Sequence, residues 1–212
     1  MIEQNILAVR KRMELACERA SRKVDEVQLL IATKTVSDER LLACSSAGES
    51  YFGENRVQEL CAKQADFADL DITWDFIGHL QSNKVKDVVG KVNLIHSVDR
   101  SSLISAIAKR ADTVQKILVE VNTSGEKTKS GCSPEELPNI LQQVKSHGNL
   151  DLCGFMTIAS NTTEEKQVRK CFQSLFQIRQ KYAEIIGKEV SALDLSMGMS
   201  TDFEWAIEEG AT

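Results

Sequence analysis

Seven times along this 212-residue chain a short apolar run gives way to a segment with helical periodicity, and that alternation limits the fold more than any other feature. The first run, residues 27–33 (Val-Gln-Leu-Leu-Ile-Ala-Thr), is nearly continuous, as a strand buried on both faces of a parallel sheet requires. The later runs are 51–53, 74–78, 94–98, 116–122, 150–156 and 192–196. A helix over residues 2–23 precedes them, with apolar positions near a 3.6-residue period. Between the runs, helices are expected over 37–47, from Val57 through Ala65, over 83–89 and 102–111, from Ser133, and over 164–186 and 202–209. Ser37-Asp38-Glu39 and Ser133-Pro134 carry helix-start chemistry, and Gly48 and Gly210 read as stops.

Strand–helix units in series make an α/β fold with a parallel sheet. A doubly wound sheet calls for a glycine-rich phosphate turn after its first strand, whereas this chain has Lys34-Thr35-Val36-Ser37 there. The expected fold is therefore a (β/α)₈ TIM-type barrel with an extra N-terminal helix, residues 1–212 forming one domain. Only seven strands are found, and the sequence stops at Gly210-Ala211-Thr212, where an eighth would begin; the final strand is expected to be missing from this chain.

Charge and composition narrow the function. With 26 basic and 31 acidic residues the net charge is −5, which argues against a nucleic-acid partner held by bulk positive charge. No leader segment is visible, and no run approaches the ~18 apolar residues of a membrane-spanning helix. Six cysteines lie scattered without a CxxC pair, the pattern of free thiols in a cytoplasmic protein. No histidine or carboxylate pair has metal-ligand spacing, so no metal is expected.

In a barrel the functional groups sit at the carboxyl ends of the strands. Lys34 follows the first run directly, and partial desolvation there would favour the neutral amine that forms a Schiff base with an aldehyde. A lysine snorkelling to solvent is the alternative. Ser196-Met197-Gly198-Met199-Ser200 offers amides and hydroxyls to an anion, and Ser200 or Thr201 as a plain helix cap is the competing reading. Asn55 is either a ligand amide or a turn residue. His79 is an acid/base group or a structural histidine, while His96, inside a strand, receives no role. The loop after the fifth run holds Lys127 and Lys129, a weak offer of charge to a phosphate; Trp74 and Trp205 read as packing residues.

Four segments in this order and spacing carry a resemblance: Ala32-Thr33-Lys34-Thr35, Phe52-Gly53-Glu54-Asn55-Arg56-Val57-Gln58-Glu59, Phe76-Ile77-Gly78-His79-Leu80-Gln81-Ser82-Asn83-Lys84 and Leu195-Ser196-Met197-Gly198-Met199-Ser200. With the stretch from Val121 to Gly131, they resemble the pyridoxal phosphate homeostasis proteins, the YggS/PROSC-type family related to the N-terminal barrel of alanine racemase. The resemblance covers essentially the whole chain. It implies pyridoxal 5′-phosphate held as an aldimine on Lys34, its phosphate near Ser196, Met199 and Ser200, and Asn55 and His79 close to the cofactor. It also implies no catalytic residues and no established turnover, but a role in intracellular homeostasis of the reactive aldehyde. The expected partners are the cofactor and apo-enzymes that receive it, with no nucleic acid and no membrane, and the expected state is a monomer. The family continues into an eighth strand with further cofactor contacts that this sequence lacks. A pyridoxal phosphate-dependent racemase-like enzyme is the second reading, and an aldolase-type Schiff-base barrel the third.

Overall fold

The structure, a computed structural model, describes residues 2–212. One sheet contains β1 (Ile31–Ala32), β2 (Tyr51–Glu54), β3 (Thr73–Phe76), β4 (Leu94–Val98), β5 (Gln115–Glu120), β6 (Leu150–Met156) and β7 (Asp194–Ser196), in that order. Every neighbouring pair is parallel. Helices α2 (Asp38–Ser46), α3 (Val57–Asp66), α4 (Ser101–Arg110), α5 (Leu137–Lys145) and α6 (Glu165–Ile186) connect successive strands, and α1 (Ile2–Arg19) and α7 (Phe203–Glu208) flank the series. A sheet whose order never reverses is the winding of a (β/α) barrel wall and excludes the doubly wound alternative.

Among the described residues β7 and β1 do not pair with each other. Thr212 stands in that gap: its N–H donates to the Leu195 carbonyl at 3.1 Å, and its own carbonyl accepts from the Gln28 N–H at 2.6 Å. This explains why the first strand is shorter than the sequence predicts. The Gln28 amide is directed to Thr212, and only Ile31 and Ala32 find register with β2, opposite Phe52 and Gly53.

Side chains alternate across each strand. The outward set, including Phe52, Trp74, Phe76, Ile117, Val119 and Leu195, is buried beneath the helices in the main core. The Phe52 and Trp74 rings lie 5.9 Å apart, so Trp74 is a core residue as expected. The inward set is different. Leu94, Leu118 and Met156 form a small apolar cluster, whereas Tyr51, Asp75, His96 and Ser196 line the barrel with polar groups.

Three helix expectations need correction. Residues 82–87 form a 3-10 segment rather than an α-helix, and its C-cap residue Val88, three residues after Val85, brings a second buried valine in line with the three-residue turn. The regular helix expected to open at Ser133-Pro134 begins at Leu137, after a turn that Ser133 and Glu136 close with a capping box: the Glu136 N–H donates to Ser133 Oγ, and the Ser133 N–H to Glu136 Oε2 at 2.9 Å. The first helix ends at Arg19, ahead of Ser21 with φ of 53°. All six cysteines are free, and no described helix is long and apolar enough to cross a membrane.

Candidate functional site

Seven parallel strands in sequential order place all their carboxyl ends on one rim, so Lys34, Asn55, His79, Glu120 and the 196–200 loop share a face of the barrel. How each is held differs.

Lys34 is exposed. Of the two readings open to it, snorkelling to solvent holds and partial burial does not, because a two-residue strand at an unpaired sheet edge offers nothing to cover the side chain. Its amine makes no hydrogen bond or ion pair with a described residue, while its backbone is tightly held. Lys63, on α3 and buried, donates from Nζ to the Thr33 carbonyl at 2.6 Å and to Glu54 Oε1 at 2.5 Å. Thr33 Oγ1 donates to that same carboxylate at 2.6 Å. On the other side, Thr35 sits at φ 57°, a left-handed conformation costly for a β-branched residue. The Thr35 N–H donates to Glu59 at 3.1 Å, which holds that carboxyl below its usual range. The motif running from Glu54 to Glu59 thus clamps the peptide on both sides of Lys34.

Asn55 Oδ1 is buried and accepts no hydrogen bond among the described residues. An orphaned acceptor at a barrel mouth is a position where a ligand donor would be satisfied. The backbone beneath it explains Gly78: a Cβ there would come within 2.1 Å of the Asn55 carbonyl oxygen. His79 projects from the rim, half exposed, with Nδ1 3.9 Å from Asp99, beyond hydrogen-bond reach.

The 196–200 loop turns through Gly198 at φ +91°, where a Cβ would meet the Ala206 Cβ at 2.7 Å. Asp202 rather than Ser200 or Thr201 organises the turn into α7, its carboxylate accepting from the Met199 N–H. That amide is therefore engaged. The Gly198, Ser200 and Thr201 amides have no protein acceptor among the described residues, and Ser200 is exposed. Ser196 Oγ points inward and lies 2.8 Å from His96 Nδ1; His96 Nε2 in turn lies 3.0 Å from Asp75 Oδ2.

Two groups at the rim or just below it lie outside the sequence expectations. Glu120 ends β5 and is buried, and its carboxyl group accepts no hydrogen bond from a described residue; burial, with Asp99 nearby, pushes that carboxyl up to about 7. Only strand parity could have singled it out, since it falls on the inward positions of 116, 118 and 120. His96 is the other. The lysines of the following loop do not converge on the rim as free charges: Lys129 Nζ donates to the Ala159 carbonyl at 3.0 Å, and Lys127 is exposed. Among the described residues no group of three His, Cys, Asp or Glu side chains is placed to hold a metal ion.

Comparison with known proteins bears on what this rim is for. Residues 4–211 match the family model described as "Alanine racemase, N-terminal domain". The chain is 43% identical over 212 residues to the pyridoxal phosphate homeostasis protein of Aquifex aeolicus, covering 99% of this chain and 92% of that one. The chain belongs to the pyridoxal phosphate homeostasis protein family. Within the solved structures it is similar to an unknown protein from Bifidobacterium adolescentis, with TM-score 0.93, 35% identity, and coverage of 100% of this chain and 90% of that one. It is also similar to PipY of Synechococcus elongatus, solved with pyridoxal phosphate bound, with TM-score 0.85 and 29% identity over 100% of this chain and 95% of that one. The family's barrel fold is the one described above.

Against that family, the donor set on the rim fits a phosphorylated aldehyde. The first strand ends in a free lysine amine, the second is followed by a buried acceptor without a partner, and the last leads into unengaged amides and a hydroxyl.

Proposed function

We propose that this chain binds pyridoxal 5′-phosphate at the carboxyl rim of its barrel and serves in intracellular homeostasis of that cofactor, without turnover. The observation carrying the reading is the Lys34 amine, free of protein partners yet clamped through its own backbone by Lys63, Glu54 and Glu59. When bound, the cofactor supplies an aldehyde for that amine and a phosphate for the 196–200 loop. Asn55 Oδ1 would accept from a hydroxyl or protonated group on the ring. Members of the family named for this role, and PipY with pyridoxal phosphate bound, support it. Exposure of Lys34, Met199 and Ser200 suits a holder from which apo-enzymes draw the cofactor, in a cytoplasmic, monomeric setting.

The purified protein mixed with pyridoxal phosphate should develop the absorbance of a lysine Schiff base, and borohydride should fix the adduct on Lys34. Lys34→Ala should abolish both completely; an unchanged spectrum would sink the assignment.

One observation favours a second reading, a racemase-like enzyme. Glu120, at about 7, is a buried carboxyl able to exchange a proton near neutrality, whereas His79 and Lys129 are exposed or otherwise engaged. Formation of D-alanine from L-alanine, lost in Glu120→Gln, would replace the first reading with this one.

A further inference from the structure

Inside the barrel, below the rim, a single hydrogen-bonded chain crosses from β2 to β7. Asn93 Nδ2 donates to Tyr51 Oη at 2.8 Å and to Asp75 Oδ1 at 3.1 Å, Asp75 Oδ2 lies 3.0 Å from His96 Nε2, and His96 Nδ1 lies 2.8 Å from Ser196 Oγ. Asp75 and His96 are both almost wholly buried. An ionised carboxylate only accepts, so Asp75 fixes the neutral imidazole as the tautomer with its proton on Nε2. Nδ1 then carries a lone pair, and the Ser196 hydroxyl must spend its one proton on it. When His96 gains a proton, Nδ1–H donates instead, and the Ser196 hydroxyl is free to turn its proton toward the rim.

We propose that His96, oriented by Asp75, decides through its own protonation whether Ser196 can donate to an anion at the barrel mouth, so that phosphate-group binding and proton uptake by His96 are one linked event. Asp75 and His96 are positioning residues: they act on the ligand through Ser196. The proposal rests on the reading that the phosphate end of the ligand meets the 196–200 loop, and adds to it a pH-dependent grip. Binding is tighter on the acid side of the His96 titration and looser above it, which biases the site toward release as pH rises.

Other groups face His96 from the surrounding strands. Asp194 lies two residues before Ser196 on the same face of β7, and Lys116 of β5 stands near Asp194. Burial raises the Tyr51 hydroxyl of β2 and the Cys153 thiol of β6 further above their ordinary values. Glu120 of β5 is the one that titrates near neutrality, and its loss of charge on acidification would also favour an anion. It must therefore be separated from His96 by experiment.

The test uses the whole chain without cofactor and sulfate as probe, a dianion that does not itself titrate between pH 5 and 8. His96 is followed by long-range proton–nitrogen NMR. Saturating sulfate should move the His96 titration upward by about one unit, and by linkage sulfate affinity should fall about tenfold as pH rises through it. Ser196→Ala should still bind sulfate through the loop amides, but with most of that shift gone. Glu120→Gln should keep it. Asp75→Asn, which reverses the proton on the imidazole, should bind sulfate tightly with no pH dependence from His96, an outcome that loss of structure would not produce. A full shift retained in Ser196→Ala, or sulfate binding that leaves His96 unmoved, overturns the proposal. Failure of sulfate to bind at any pH overturns the phosphate reading, and the proposal with it.

Discussion

Lys34 and Ser196 stand at the carboxyl ends of the first and last strands, and they are anchored from opposite sides of the sheet. Lys34 is held from the outer layer. Lys63 of α3 reaches through to the Thr33 carbonyl, and Glu59 takes the Thr35 amide, so the main chain is fixed and the amine is left free. Ser196 is held from inside the barrel, by its side chain, through His96 and Asp75. A group that must react benefits from the first arrangement, because nothing competes for its nitrogen. A group that must grip reversibly benefits from the second, because its hydrogen-bonding capacity depends on a neighbour's charge state.

The largest effects should come from breaking the outer anchor. Lys63→Met leaves the fully buried Glu54 carboxylate without its cation, a loss of about 3–5 kcal/mol in urea unfolding. The double variant Glu54→Leu/Lys63→Met should lose clearly less, because no uncompensated charge remains. A double variant as unstable as the single one would mean that packing, not charge, is what Lys63 contributes. If the folded fraction of Lys63→Met reacts with pyridoxal phosphate as readily as the unaltered chain, the clamp does not position Lys34.

Next in size is Glu120, between the two anchors. Its carboxyl binds a proton in the folded chain up to about pH 7, but in the unfolded chain only to its ordinary value of 4.5. Between those limits the folded state holds the extra proton, so stability should fall as pH rises and level off above 7. The full change is on the order of 3 kcal/mol. Glu120→Gln should flatten the curve between pH 5 and 8; the same slope in the variant would assign it to another group.

The smallest effect belongs to the outermost donor. Ser200→Ala removes one exposed hydroxyl and should weaken pyridoxal phosphate binding by about 1 kcal/mol, roughly fivefold. Pyridoxal, which lacks the phosphate, should show no change. An equal loss for both compounds would mean that Ser200 shapes the turn rather than contacting the anion.

Much of this arrangement was legible along the chain. Apolar runs buried on both faces read clearly as parallel strands, and the residues following them as rim groups. One departure and one open choice have physical causes. The run at 27–33 looked like a full strand, but pairing depends on a neighbour in register, and Gln28 is paired with Thr212 instead. At Lys34 the sequence leaves partial desolvation and snorkelling to solvent both open; the second holds, because exposure is set by what lies over a residue and nothing covers that edge. Asn55 carried no stronger signal than a turn asparagine until its buried, unpartnered oxygen was seen.

His96 shows where the boundary falls. A lone histidine inside a strand says nothing by itself, since its partners Asp75 and Ser196 are 21 and 100 residues away. The sequence by itself determined the barrel winding and which residues share the rim, because parallel strands joined by helical crossovers leave every carboxyl end on one side. Only the tertiary structure decided which groups were free and which were spoken for: that depends on contacts across the sheet and through the barrel, and no local pattern encodes them.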